Sequence, residues 1–225
     1  MNTKPVLLTA VLLLIPPALG AEVITENYAF SVGSGNIPDS GSRSFSQSLS
    51  ASQIVNLTKE QVGLHLTGNP AGNGFAGDMF MSLNRNLGTQ TAVLLNQAGV
   101  TGSNSAGFSF DGWNVTLKES ASANGDNYFG EPTSPATILS GMWLPDERRD
   151  PFDTARPAVL DVFKGMSANS VWYLDIADLP PGGAMTFNSW SLNLTDYTAV
   201  PESKLSGVLI GAALLAFAAR ERWRR

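Results

Sequence analysis

Apolar and polar residues alternate with a period of two along most of the chain, the spacing that turns one face of a strand to a core and the other to water. Residues 42–52 alternate serine with Arg43, Phe45, Gln47, Leu49 and Ala51. Val62, Leu64 and Leu66 repeat the pattern, as do Met79, Met81 and Leu83, then Val93 and Leu95. Further on, Trp113, Val115 and Leu117 face away from Asn114, Thr116 and Lys118, and two more runs follow at Trp172, Leu174, Ile176 and at Trp190, Leu192, Leu194. Stretches rich in glycine, asparagine and proline (68–77, 96–107 and 124–135) separate these runs and mark turns and loops. No amphipathic helix interrupts them. The pattern predicts an all-β domain, an antiparallel β-sandwich with long connecting loops.

Trp172 and Trp190 fall on successive strands joined by a Leu-Pro-Pro-Gly-Gly link. Pairing of those strands lets both indoles fill one core layer, each burying on the order of 150–250 Å². Both are expected in the core rather than as ligand platforms. Asp178, just before the prolines, is placed to accept backbone N–H groups in the turn.

The two ends break the period. Residues 1–20 carry Lys4, an apolar run over 6–15, Pro16-Pro17 and then Ala18-Leu19-Gly20, the layout of a cleaved export signal. Residues 205–219 hold no charge; as a helix these 15 residues span about 22 Å, short of a ~30 Å hydrocarbon core. Their seven strong apolar residues contribute roughly −2 to −4 kcal/mol of insertion free energy. Lys204 and Arg220 can snorkel to lengthen the span. The basic end, Arg220, Arg222, Arg224 and Arg225, is expected on the cytoplasmic side. The tail reads as a short transmembrane helix that anchors an exported domain of residues 21–199.

That tail resembles the PEP-CTERM sorting signal of Gram-negative bacteria. Val200, Pro201 and Glu202 stand at its Pro-Glu-Pro motif, with Ser203 at the place of the second proline. The resemblance implies recognition by an exosortase, a membrane transpeptidase that cuts near the motif.

Composition narrows the classes. Residues 21–199 hold 8 basic and 17 acidic residues, a net charge of −9, against −5 for the whole chain. Such a domain is repelled by nucleic acid and anionic lipid, and by anionic polysaccharide unless divalent cations bridge the charges. Cysteine is absent, so neither disulfides nor thiolate chemistry contributes.

A second resemblance rests on Trp172-Tyr-Leu174-Asp-Ile176-Ala-Asp178, Gly182-Gly183 and Asn188-Ser189-Trp190-Ser191-Leu192. It is similar to the closing signature of the P domain (P/Homo B), which follows the catalytic domain in proprotein convertases and many bacterial subtilisin-like proteases. Phe163-Lys-Gly165, Ile37-Pro38-Asp39-Ser40-Gly41 and Gly77-Asp78 match earlier parts of that module. The resemblance implies a jelly roll. In that family the chemistry belongs to a separate domain, for which this chain has no room.

Candidate chemistry is sparse. His65 is the only histidine, sits mid-strand, and has no Gly-x-Ser-x-Gly elbow to serve. Asp146, Glu147, Asp150 and Asp153 surround Arg148, Arg149 and Arg156 and read as a solvated, salt-bridged loop rather than a glycosidase acid/base pair. Asp78, Asp111 and Asp178 are candidate calcium ligands; the D-x-D-x-D-G spacing is absent, so solvated, metal-free loops are the expectation. Trp143, Tyr128 and Phe129 are expected in loops and are the candidates for stacking on sugar rings. No catalytic residue and no cofactor is expected. The favoured function is a non-catalytic exported surface or matrix protein, sorted into an exopolysaccharide or biofilm matrix. A polysaccharide- or protein-binding module is the alternative, and a protease-associated P domain a third.

Overall fold

Alternating residues become strands because every second side chain finds the same interior. The computed structural model describes residues 21–68, 74–86, 88–105, 107, 109–110, 112–121, 138–179, 181 and 185–199, and Val23–Thr198 forms one domain. The strands are β1 (Ala21–Ile37), β2 (Ser42–Leu49), β3 (Lys59–Gly68), β4 (Gly74–Phe75), β5 (Met79–Arg85), β6 (Gln90–Asn96), β7 (Ser109–Phe110), β8 (Gly112–Lys118), β9 (Ile138–Trp143), β10 (Ser170–Asp178) and β11 (Met185–Ala199). The class is all-β, and no α-helix occurs among the described residues. One sheet runs β1-β11-β3-β8-β9, the other β2-β10-β5-β6, and β4 and β7 form a small ladder.

Buried side chains of both sheets join in one core. Phe45 of β2 meets Phe187 of β11 with centroids 4.7 Å apart, which ties the sheets face to face. Trp113, Trp172 and Trp190 are all buried. Trp172 donates its indole N–H to the Ala168 carbonyl at 3.0 Å and takes Phe163 edge-on at 5.1 Å. Phe30 tilts onto Trp190 at 4.7 Å. At ~25 cal/mol per Å², each buried indole contributes roughly 4–6 kcal/mol before entropy is counted.

Several expectations need correction. β10 and β11 do not pair: β2 and β5 occupy both edges of β10, so the chain changes sheet between Asp178 and Met185. The two indoles reach the core from opposite sheets. The sheets are not wholly antiparallel either, since β8 and β9 run parallel. Trp143 ends β9 rather than lying in a loop. Asp146 and Glu147 are buried, not solvated.

Their segment closes an edge. β6 has only β5 as a sheet neighbour, and an open edge exposes unpaired backbone groups. The Asp146 and Glu147 amides donate to the Leu94 and Val93 carbonyls, each at 3.0 Å, and the Val93 amide donates to the Ala158 carbonyl at 2.9 Å. β1 was hidden from the periodic reading by Glu26, which points inward between Ile24 and Tyr28. Its carboxylate accepts Ser52 Oγ at 2.5 Å and the Gln53 amide at 2.9 Å. Burial alone raises the Glu26 pKa, but hydrogen bonds from Ser52, Tyr28 and Gln53 outweigh it and hold the group below its ordinary value.

Candidate functional site

Two regions of the domain carry unusual chemistry. The first is an acidic cluster where β10 ends and β5 begins. Asp178 is the last residue of β10 and pairs with Met79. Strand parity places it with Trp172, Leu174 and Ile176, the buried positions of β10, so its carboxyl enters the interior rather than the turn. Asp78 closes the 3-10 turn Ala76–Asp78, one residue before β5. Main-chain bonds fix both: the Asp178 amide donates to the Gly41 carbonyl at 2.8 Å, and the Leu179 amide to the Asp78 carbonyl at 2.7 Å. Gly41 closes the turn that holds exposed Asp39, its amide donating to the Pro38 carbonyl at 3.0 Å.

Asp178 is 1% exposed and Asp78 4%. Among the described residues neither oxygen of Asp178 has a hydrogen-bond partner; the N–H groups of residues 182–184, which it is expected to capture, lie outside the described residues. Burial pushes the Asp178 carboxyl up to about 7, helped by the negative charges of Asp78 and Asp39. Burial likewise pushes Asp78 up to about 6, with Asp39 adding to it. Among the described residues no cationic side chain opposes either shift.

The edge-closing segment offers a contrast. Asp146 is fully buried, and Arg148 forks onto both its oxygens at 2.5 and 2.9 Å. The Asn96 amide adds a third donor at 3.2 Å. Next to it, burial and then a hydrogen bond and charge from Glu119 push Glu147 up to about 8, against the pull of Arg156. Two carboxyl groups in direct hydrogen bond leave no room for a sugar ring between them.

The second region is the outer face of the five-stranded sheet. A depression of about 310 Å³ lies across β1, β11, β3 and β8, lined among others by Ser31, Gly63, Asn114, Thr116, Ser189 and Ser191. Register explains it. Gly63 pairs with Ser191 on one side and Thr116 on the other. A Cβ on Gly63 would lie 2.3 Å from Ser191 Oγ, so the missing side chain makes the hollow. All its lining residues are neutral. In the period-two pattern these residues form the solvent half of the alternation. The available signal was that this half is small and uncharged in Ser189, Ser191, Asn114 and Thr116.

The predicted site residues are brought together only in part. Asp78 and Asp178 share the acidic cluster, while Asp111 lies outside the described residues. Trp143 pairs with Leu117, at the far end of β8 from Gly112, and so lies away from the strand ends that carry the aspartates. Its indole N–H donates to the Ser140 carbonyl at 3.1 Å, and its half-buried ring packs on the core. Tyr128 and Phe129, the sorting residues Val200, Pro201 and Glu202, the span 205–219 and the basic end Arg220, Arg222, Arg224 and Arg225 all lie outside the described residues. His65 is in register with Ser189 and Asn114, and its side chain is outside the described set. Among the described residues no helix is long and apolar enough to cross a membrane, and no group of three or more acidic or histidine side chains is arranged to hold a metal ion.

No protein-family model matches the chain, and no curated protein matches it. Several solved structures are similar, among them two of one protease. One is the serine protease of Aeromonas sobria in complex with its chaperone, at 14% identity and TM-score 0.44 over 79% of this chain and 28% of that one. The other is the serine protease of Aeromonas sobria, at 15% identity and TM-score 0.43 over 81% of this chain and 28% of that one. The chain therefore spans less than a third of the length of those structures.

Proposed function

We propose that this chain is a non-catalytic exported protein of the cell surface or extracellular matrix. Its leader over residues 1–20 directs export, and its tail holds the precursor in the inner membrane through a short helix over 205–219. An exosortase-type enzyme acting at Val200, Pro201 and Glu202 then delivers a P-domain-like jelly roll into an exopolysaccharide or biofilm matrix. The observation that supports this best is the neutral hollow on the five-stranded sheet, bordered by Ser31, Asn114, Thr116, Ser189 and Ser191. Hydroxyl and amide groups there can exchange hydrogen bonds with sugar hydroxyls.

The experiment is the intact mass of the exported protein in parent cells and in cells lacking the exosortase. A mass ending near Pro201 to Lys204 in the parent, with the full tail kept in the deletion, supports the proposal. Retention of Arg225 in both strains contradicts it.

The same hollow favours a second reading, a module that binds neutral polysaccharide. The triple substitution Asn114→Ala, Thr116→Val, Ser191→Ala removes donors and acceptors without adding bulk. Cosedimentation with insoluble neutral polysaccharide is expected to fall about tenfold, the effect of roughly 1.4 kcal/mol of lost hydrogen bonding. Undiminished cosedimentation would move the contact elsewhere.

A further inference from the structure

Burying a carboxylate without a partner is among the costlier things a chain can do. This domain does it at Asp178, and sets Asp78 beside it at the same strand ends. Two other buried or inward carboxylates are answered from within the chain: Asp146 by Arg148 and the Asn96 amide, Glu26 by Ser52 and the Gln53 amide. Asp178 has no donor among the described residues, and the nearest influences on it are two more negative charges, Asp78 and Asp39.

We propose that the buried carboxyl groups of Asp78 and Asp178 bind a hard divalent cation, with exposed Asp39 adding its negative field rather than a ligand, and that calcium is the ion they suit. The side-chain donors are all carboxylate oxygens, which favour calcium or magnesium over zinc or copper. Calcium tolerates the irregular coordination available here better than magnesium, which demands a near-ideal octahedron. Two interior carboxylates supply up to four oxygens, and main-chain oxygens and water complete the six to eight that calcium takes. Since no third acidic side chain is drawn in tightly, the affinity belongs with extracellular calcium modules, about 0.1–1 mM. A bound ion joins two separate pieces of chain, the 3-10 turn Ala76–Asp78 and the end of β10. The solvated, metal-free expectation for these aspartates fails on its first half, because both are buried.

The test uses the full-length chain in detergent micelles at pH 8, stripped with EDTA and titrated with calcium chloride. One calcium per chain is expected, with a dissociation constant of about 0.1–1 mM. The midpoint of thermal unfolding should rise by about 3–10 °C in 10 mM calcium. At pH 5, where protons compete for the same oxygens, the affinity should fall at least tenfold. Asp178→Asn should lose the calcium response while melting in EDTA no lower than the parent, which shows that the fold survives. Asp78→Asn should behave alike and decides the matter if Asp178→Asn does not fold. An unmodified chain that gives neither heat nor a shift with calcium overturns the proposal and leaves the pair as a shared-proton site. A calcium response that persists undiminished in the folded variants overturns it equally.

Discussion

Asp146 and Asp178 are both buried, at 0% and 1% exposure, yet their surroundings differ in every respect that matters to a charge. Asp146 sits in a segment that has strand partners but is not a strand. It gains Arg148, and the Asn96 amide, in return for sealing the edge of β6. Asp178 sits on a central strand with ideal alternation, and among the described residues its side chain has no donor and feels the charges of Asp78 and Asp39. Burial is therefore a poor guide to the state of an acid; what it faces decides. A compensated carboxylate is part of the scaffold. An uncompensated one favours a proton or a cation.

The largest effect is expected from breaking the compensated side. Arg148→Ala leaves the buried charge of Asp146 with the Asn96 amide but without its counter-charge and should lower stability by about 3–5 kcal/mol, measured by urea unfolding followed through tryptophan fluorescence. A loss below ~1 kcal/mol would mean that Asp146 is neutralised by something other than the fork.

Next comes the pH dependence of the metal-free protein. Asp178 titrates near 3.8 when unfolded and about 7 when folded, and Asp78 shifts from 3.8 to about 6. Between those values the folded state holds the extra protons. The contribution is full below pH 4 and is lost as pH rises through 6 and 7. Stability should fall by about 2–4 kcal/mol between pH 5 and pH 8. Glu147, raised to about 8, works in the same direction and steepens the upper end. A metal-free protein that gains stability over this range would contradict both assignments.

Asp178→Asn sharpens the contrast with a smaller change. At pH 8 without metal it removes a buried negative charge and leaves an amide that still lacks partners, for a net gain of about 1–3 kcal/mol. At pH 5, where Asp178 is already protonated, the gain should shrink towards zero. The smallest effect is expected from Glu147→Gln, which keeps a donor toward Glu119 and should raise stability by about 1 kcal/mol at pH 8. Chemical denaturation at the two pH values reads out both variants.

Much of this was legible in the chain. Period-two runs marked β2, β5, β8, β10 and β11, and Trp172 and Trp190 were expected in the core, where they lie. Misreadings came where a polar residue points inward for a reason local sequence does not show. Glu26 breaks the period of β1 because its partners, Ser52 and Gln53, arrive from another part of the chain. Asp146 and Glu147 look solvated until β6 is seen to need an edge partner. β9 escaped because it is short, contains Gly141 at φ 111° and pairs in parallel. Asp178 is different: its parity with Trp172, Leu174 and Ile176 was available, and the neighbouring prolines drew attention to the turn instead. The hollow over Gly63 needed register across three strands, which no single strand reveals.

The claim at the centre of this account is that no described residue supplies Asp178 with a counter-charge. The most direct measurement is a carboxyl-carbon NMR titration of Asp178 in the full-length, metal-free protein. A midpoint near pH 7 that vanishes from the spectrum in Asp178→Asn is predicted. A midpoint at or below 4 would contradict the account, because a carboxylate ionised so readily has found a partner within the chain.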